Sequence, residues 1–125
     1  MNLERDYLTE KVIGLAIEVH RELGPGLAEQ IYEAALEFEL KQAGMNCARQ
    51  LSVEVSYKGK SIGMGFRVDL LVDNALPIEL KAVDRLSELH RAQLITYLRL
   101  LKLKRGLLIN FNAMPLTAGV RRISL

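Results

Sequence analysis

Two carboxylates and an ammonium group lie close together in the sequence: Asp69, and ten residues later the tripeptide Glu79-Leu80-Lys81. Both occur in short apolar runs typical of β-strands, which would half-bury these charged side chains. Burying the charges costs free energy unless they neutralise one another or hold a cation. Strand carboxylates that bind Mg²⁺, with a lysine beside them, are one way to build a site that cleaves phosphodiester bonds. Asp69, Glu79 and Lys81 are therefore the first candidates for chemistry.

Strand periodicity predicts where these three side chains point. A period of two places Glu79 and Lys81 on the face opposite to their apolar neighbours, and Asp69 points away from the more uniformly apolar face of its own strand. If the two strands pair, the two carboxylates and the lysine converge. The alternative is a cross-strand ion pair on an exposed face, which would contribute little to stability.

Two further sets of polar residues lie on predicted helices. Glu29 falls in the first turn of a helix, where a carboxylate complements the positive end of the helix dipole, and Tyr32 shares its face. His90, Gln93 and Tyr97 form one polar stripe on a later helix that would face the same site. Each set alone is also compatible with a structural role, and none has the spacing of a zinc site.

Length and composition predict one domain over residues 1–125, with a sizeable core. Hydrophobic residues make up 50% and charged residues 26%, as in soluble globular proteins. The sequence shows no run of membrane-spanning length and no signal-peptide character. The single cysteine, Cys47, excludes an intrachain disulfide. Together these features predict a cytoplasmic protein that does not enter a membrane.

Charge is distributed unevenly between the two halves of the chain. Residues 1–62 carry 7 Lys/Arg against 10 Asp/Glu, whereas residues 63–125 carry 10 against 5. A basic C-terminal half is compatible with a face that contacts polyanions, and equally with ordinary solvated charge.

The hydrophobic periodicity predicts the element order ααβββαββ, an α/β domain whose mixed sheet is flanked by helices. The crossover helix between the third and fourth strands should make those two strands parallel. The apolar stripe of the second helix is expected at Ile31, Ala35, Leu36 and Phe38 to Leu40. The predicted ranges are helices at about 7–23 and 27–43, strands at 51–57, 61–72 and 76–82, a helix at 87–103, and strands at 106–111 and 120–125.

Together these motifs resemble the GxxExxY family of the PD-(D/E)xK nuclease superfamily, over nearly the whole chain from Val12 onward. The matching positions are Gly26, Glu29 and Tyr32 for the motif in the family's name, Asp69, Glu79 and Lys81 for the D…ExK core, and Gln93 and Tyr97 for a QxxxY helix element. One departure is Val68, where the name of the superfamily has proline.

The resemblance implies a restriction-endonuclease-like PD-(D/E)xK core and a Mg²⁺- or Mn²⁺-dependent nuclease that acts on DNA or RNA. It implies that Asp69, Glu79 and Glu29 bind the metal. It also implies that Lys81 orients or activates the attacking water, that Gln93 and Tyr97 position the substrate phosphate or buttress the site, and that Tyr32 supports Glu29.

Other hypotheses remain open from the sequence. The chain could be a non-catalytic nucleic-acid-binding module, with basic residues on or near the crossover helix contacting phosphates, or a protein-interaction subunit. A homodimer is also compatible with the resemblance, since nucleases of this fold often cut paired strands. No recognition helix or zinc finger is visible, so the sequence does not specify the substrate.

Overall fold

The computed structural model describes residues 3–125, with side chains from Tyr7 onward. Over this range the chain forms three α-helices, five strands and one 3₁₀ helix in the order ααβββαββ, which confirms the predicted order and the α/β class. The helices are α1 (Leu3–Leu23), α2 (Glu29–Gln42) and α3 (Glu88–Leu101); the strands are β1 (Cys47–Tyr57), β2 (Lys60–Val72), β3 (Leu76–Lys81), β4 (Arg105–Asn110) and β5 (Val120–Ser124); the 3₁₀ helix is Leu116–Gly119.

The strands form one mixed sheet in the order β1-β2-β3-β4-β5. Neighbouring strands are antiparallel except β3 and β4, which are parallel and are connected through α3. The predicted crossover is therefore confirmed. Parallel neighbours need such a connection because a tight turn can join only antiparallel strands.

Helices cover both faces of the sheet. Leu107 and Ile109 of β4 pack in a core shared with α1 and α2, whereas Leu108 between them packs with Leu94 and Leu98 of α3. Because successive strand residues point to opposite faces, this alternation places α3 on the side of β4 opposite to α1 and α2. Within residues 3–125 the structure contains no helix with the length and apolar character needed to cross a membrane.

The predicted apolar stripe of α2 is wrong at two positions. Ile31 is 45% exposed and Phe38 is 60% exposed. The buried stripe consists of Tyr32, Leu36 and Leu40, whose spacing of four residues keeps them on one face. The apolar residues of α2 extend beyond the side that is buried, so periodicity alone predicts a wider buried face than the structure has.

The hairpin of β1 and β2 extends well beyond the strands that support it, since β3 pairs only with Leu70 to Val72. The pairing shifts register between Glu54 and Ser56. A Cβ atom at Gly65 would lie 1.8 Å from the Val53 carbonyl oxygen, so the close approach of the two strands there requires glycine.

Candidate active site

Asp69 and Glu79 meet where the pairing of β2 with β3 ends. The backbone ladder runs from Leu70–Ile78 to Val72–Leu76 and stops there. Immediately beyond it, the Asp69 N–H donates to Glu79 Oε2 at 2.9 Å, and the Leu80 N–H donates to Asp69 Oδ2 at 2.9 Å. Each carboxylate thus accepts a main-chain hydrogen bond from the opposite strand. The structure brings the two carboxylates together across the strands that carry them.

This pair lies in a poorly solvated environment. Glu79 is only 5% exposed, and burial together with the negative charge of Asp69 raises the pKa of Glu79 to about 8. Burial also raises the pKa of Asp69, against the hydrogen bond from Leu80 and the charge of Lys81, which lower it. The charge of Lys81 lowers the pKa of both carboxyls without offsetting the effect of burial. A cation between the two carboxylates would stabilise their ionised forms.

Hard oxygen donors of this kind fit a divalent cation such as Mg²⁺, which proteins often bind through one or two carboxylates and several waters. Among the side chains that the structure describes, from Tyr7 onward, no three acidic, histidine or cysteine groups lie close enough together to hold a metal. The fit therefore rests on Asp69 and Glu79. The three-carboxylate site that includes Glu29 stays a prediction.

Glu29 and Glu33 border the same open cavity as Asp69, of about 550 Å³. Glu29 is exposed in the first turn of α2, and its charge contributes to raising the pKa of Asp69. Glu29 thus lies near the site without joining the carboxylate pair. The cavity is bordered by Leu27, Ala28, Glu29, Gln30, Glu33, Gln50, Asp69 and Ala82.

Sequence reasoning missed Glu33, which the structure connects to Asp69. Glu33 is 4% exposed and accepts hydrogen bonds from Arg49 Nε at 2.7 Å and from Gln50 Nε2 at 2.9 and 3.0 Å. Gln50 Nε2 also lies 3.3 Å from Asp69 Oδ1. The one sequence feature that could have indicated the burial of Glu33 is its position next to Tyr32, the first residue of the buried stripe of α2.

Tyr32 fixes the loop that precedes Glu29. Its hydroxyl donates to the Gly24 carbonyl oxygen at 2.6 Å and accepts from the Leu27 N–H at 3.0 Å. Its ring is fully buried and stacks on Phe111 with centroids 4.5 Å apart. The hydrogen bonds of Tyr32 therefore hold the chain just before Glu29 rather than the Glu29 side chain.

Tyr97 of α3 lies close enough to the pair for the charges of Glu79 and Asp69 to raise its pKa, after the larger effect of burial. Its ring stacks on Phe66 of β2 with centroids 4.2 Å apart. Gln93, one turn earlier, is exposed. His90 caps the start of α3, because its Nδ1 accepts from the Ser87 N–H and its own N–H donates to Ser87 Oγ. His90 thus has a structural role on this stripe.

Asn110, at the end of β4, holds the segment that follows Lys81. This side chain is 3% exposed, and its amide accepts from the Val83 N–H at 3.1 Å and donates to the Val83 carbonyl oxygen at 2.9 Å. Asn112 Oδ1 accepts from the Gly26 N–H at 2.8 Å. Two asparagines, one at the end of β4 and one just after it, therefore hold the segment after β3 and the loop before α2.

The family model of the PD-(D/E)XK nuclease superfamily matches residues 6–123. The chain belongs to the PD-(D/E)XK nuclease superfamily. This PD-(D/E)XK protein has the mixed sheet flanked by helices that the superfamily fold predicts. Members of the superfamily are generally divalent-metal-dependent, and membership suggests nuclease activity and a nucleic acid substrate. A comparison of the chain with curated proteins gives no significant match.

Proposed function

We propose that this PD-(D/E)XK protein is a Mg²⁺- or Mn²⁺-dependent nuclease of the GxxExxY type, which hydrolyses phosphodiester bonds at a centre formed by Asp69, Glu79 and Lys81. The observation that carries the proposal is the carboxylate pair at the end of the β2–β3 ladder, in which Glu79 is buried and Asp69 is half-buried. Each member accepts a main-chain hydrogen bond from the opposite strand, and the pKa of Glu79 is raised to about 8. Such a pair is costly without a cation and well suited to one.

Asp69 and Glu79 would hold the metal, and Glu29 would complete the acidic site from the start of α2. When bound, a divalent cation lowers the pKa of a coordinated water and neutralises charge that develops on the phosphate. The main-chain hydrogen bonds keep one oxygen of Asp69 and one of Glu79 fixed. This leaves the carboxylates oriented before a cation arrives, which reduces the reorganisation that binding requires.

Lys81 would orient or activate the attacking water and stabilise negative charge on the phosphate. Its support is positional: Lys81 lies two residues after Glu79 in β3, and its charge acts on both carboxyls. Gln93 and Tyr97 would position the phosphate or buttress the site from α3. Tyr97 has the stronger support, since the carboxylate charges affect its pKa, whereas Gln93 projects from an exposed position one turn away.

The test is a cleavage assay on single-stranded, duplex and branched DNA and RNA, with Mg²⁺, with Mn²⁺ and with EDTA. The wild-type protein should cut at least one substrate in a metal-dependent manner. Asp69→Asn should abolish cleavage, because it removes a charge from the metal site yet keeps an oxygen to accept from Leu80. The matched control is Glu22→Gln, which changes an exposed carboxylate at the end of α1 and should cut normally.

Two outcomes of this assay would contradict the proposal. One is cleavage that persists in EDTA or in Asp69→Asn. The other is an uncut panel under both metals, in which case salt-dependent binding of the same substrates would favour the non-catalytic nucleic-acid-binding module instead.

A further inference from the structure

Gln50 has a backbone conformation that its place in a strand does not explain. Its φ is +52°, in the left-handed region that non-glycine residues rarely adopt. The other non-glycine residues with positive φ in residues 3–125 lie in turns or at the end of α3: Lys58, Asp73, Asn74 and Lys102. Gln50 lies inside β1. Strain of this kind persists only where the surrounding structure enforces it, and it is concentrated at functional sites.

The strained residue lies opposite Asp69. β1 and β2 pair at Arg49–Leu70 and at Leu51–Val68, so Gln50 and Asp69 face each other between these two pairs. On the other side of Asp69, the ladder with β3 ends at Leu70. Regular strand pairing is thus interrupted on both sides of Asp69. On the β1 side the interruption lies at Gln50.

The left-handed conformation coincides with an amide group placed between two carboxylates. Gln50 Nε2 donates to both oxygens of Glu33, at 2.9 and 3.0 Å, and lies 3.3 Å from Asp69 Oδ1. Ionised carboxylates only accept hydrogen bonds, so the NH₂ group rather than the amide oxygen must face them. Arg49 Nε donates to Glu33 at 2.7 Å and thereby neutralises the carboxylate that anchors the amide.

From this geometry we propose that Gln50 is a positioning residue that holds Asp69 in its metal-binding orientation, with the Glu33–Arg49 ion pair as its anchor. This inference rests on the proposed metal-dependent nuclease. Asp69 Oδ2 is held by the Leu80 N–H and Oδ1 by the Gln50 amide, so both oxygens of the carboxylate are fixed.

A neutral donor suits this task better than a charged one. A lysine or arginine at position 50 would neutralise Asp69 and compete with the cation. The amide instead orients Asp69 and leaves its negative charge in place. Arg49, the one arginine of β1, pairs with Glu33 and Glu37 instead. Hydrogen-bond partners of this kind around metal ligands typically change metal affinity or activity by about 10- to 100-fold when they are removed.

The test compares Gln50→Gly with Lys58→Gly in the full-length protein. Glycine relieves the strain at either position, but only the first substitution removes the amide next to Asp69. For Gln50→Gly we expect a folded protein with a cooperative unfolding transition in urea, because the relief of strain opposes the loss of the hydrogen bonds to Glu33. We also expect a Kd for Mn²⁺, measured by electron paramagnetic resonance, that is about tenfold higher, and a kcat at saturating Mn²⁺ about tenfold lower with KM little changed. Lys58→Gly should match the wild type in Mn²⁺ affinity.

Gln50→Asn provides a second variant, because asparagine tolerates positive φ and keeps a shorter amide. Its Mn²⁺ affinity should fall between those of the wild type and Gln50→Gly. A stable Gln50→Gly protein with wild-type Mn²⁺ affinity and kcat would overturn the proposal while leaving the nuclease intact. If Asp69→Asn binds Mn²⁺ as tightly as the wild type, the metal site itself is wrong, and the role of Gln50 fails with it.

Discussion

Replacing Glu79 by glutamine should stabilise the metal-free protein at alkaline pH. The pKa of Glu79 rises from an ordinary value of 4.5 to about 8, chiefly because the carboxyl is buried and secondly because Asp69 is charged. The folded protein therefore keeps a proton on Glu79 over a pH range in which the unfolded chain has released it. Because the folded state binds more protons there, the free energy of unfolding falls as pH increases from about 4.5 to about 8.

The size of this effect follows from the two pKa values. They differ by about 3.5, and each unit corresponds to about 1.4 kcal/mol, so the loss has a ceiling of about 5 kcal/mol. Typical domains have a free energy of unfolding of about 5–15 kcal/mol, so even half of this ceiling is readily measured. Glutamine has nearly the same shape, keeps an oxygen to accept from the Asp69 N–H, and cannot ionise.

The assay is urea unfolding of the wild type and of Glu79→Gln in EDTA, at intervals from pH 4.5 to 8.5. Groups that do not interact with Glu79 cancel in the difference between the two free energies of unfolding. This difference should be small at the acidic end and should grow by a few kcal/mol in favour of Glu79→Gln towards pH 8. Saturating Mg²⁺ should reverse the order, because the cation stabilises the ionised carboxylate of the wild type.

The control is Glu22→Gln, which removes an exposed carboxylate and should differ from the wild type by less than about 0.5 kcal/mol at every pH. A difference between wild type and Glu79→Gln that does not change with pH would refute the reasoning. It would mean that the Glu79 carboxylate is solvated, or neutralised by Lys81, in the folded protein.

Three other predictions test separate parts of the structure. Lys81→Met should lower kcat by about 100-fold or more. Its Mn²⁺ affinity should stay the same or increase, because the substitution removes a positive charge near the cation. Weaker Mn²⁺ binding would instead assign Lys81 a structural role. Gly65→Ala should lower the free energy of unfolding in urea by about 1–3 kcal/mol, since its Cβ would lie 1.8 Å from a carbonyl oxygen of β1. Gly14→Ala is the control: no atom lies within 4 Å of its added Cβ, so this substitution in α1 should raise the free energy of unfolding by about 0.5–1 kcal/mol. Burial raises the pKa of Cys47 to about 11, so about a thousandth of this thiol is ionised at pH 8, and iodoacetamide should alkylate it far more slowly than an unfolded control.

Local patterns in the sequence predict the order of the helices and strands and, on the condition that β2 and β3 pair, the meeting of the two carboxylates. Period-two alternation sets the faces of β2 and β3, so Asp69 and Glu79 could be placed on one side before any pairing was known. The helical stripe of α3 likewise placed Tyr97 towards the site. These are local patterns, and the faces of strands and helices follow directly from them.

Other parts of the site depend on contacts between residues distant in sequence, which no local pattern carries. The start of β1 was predicted at 51 because the residues before it do not alternate, and Gln50 among them adopts a left-handed conformation. Glu33 would ordinarily be placed at the surface, since its burial depends on the partners that β1 supplies. The hydrogen bonds of Asn110 to Val83 join segments 27 residues apart.

The most direct test of the central claim is a crystal of the wild-type protein soaked in Mn²⁺ and measured at an X-ray wavelength where manganese scatters anomalously. If Asp69 and Glu79 form the metal centre of a nuclease, an anomalous peak should lie in contact with a carboxylate oxygen of each, and it should be lost in Asp69→Asn. The absence of a peak between them, with Lys81 paired to Glu79, would contradict the account and assign these three charges a structural role.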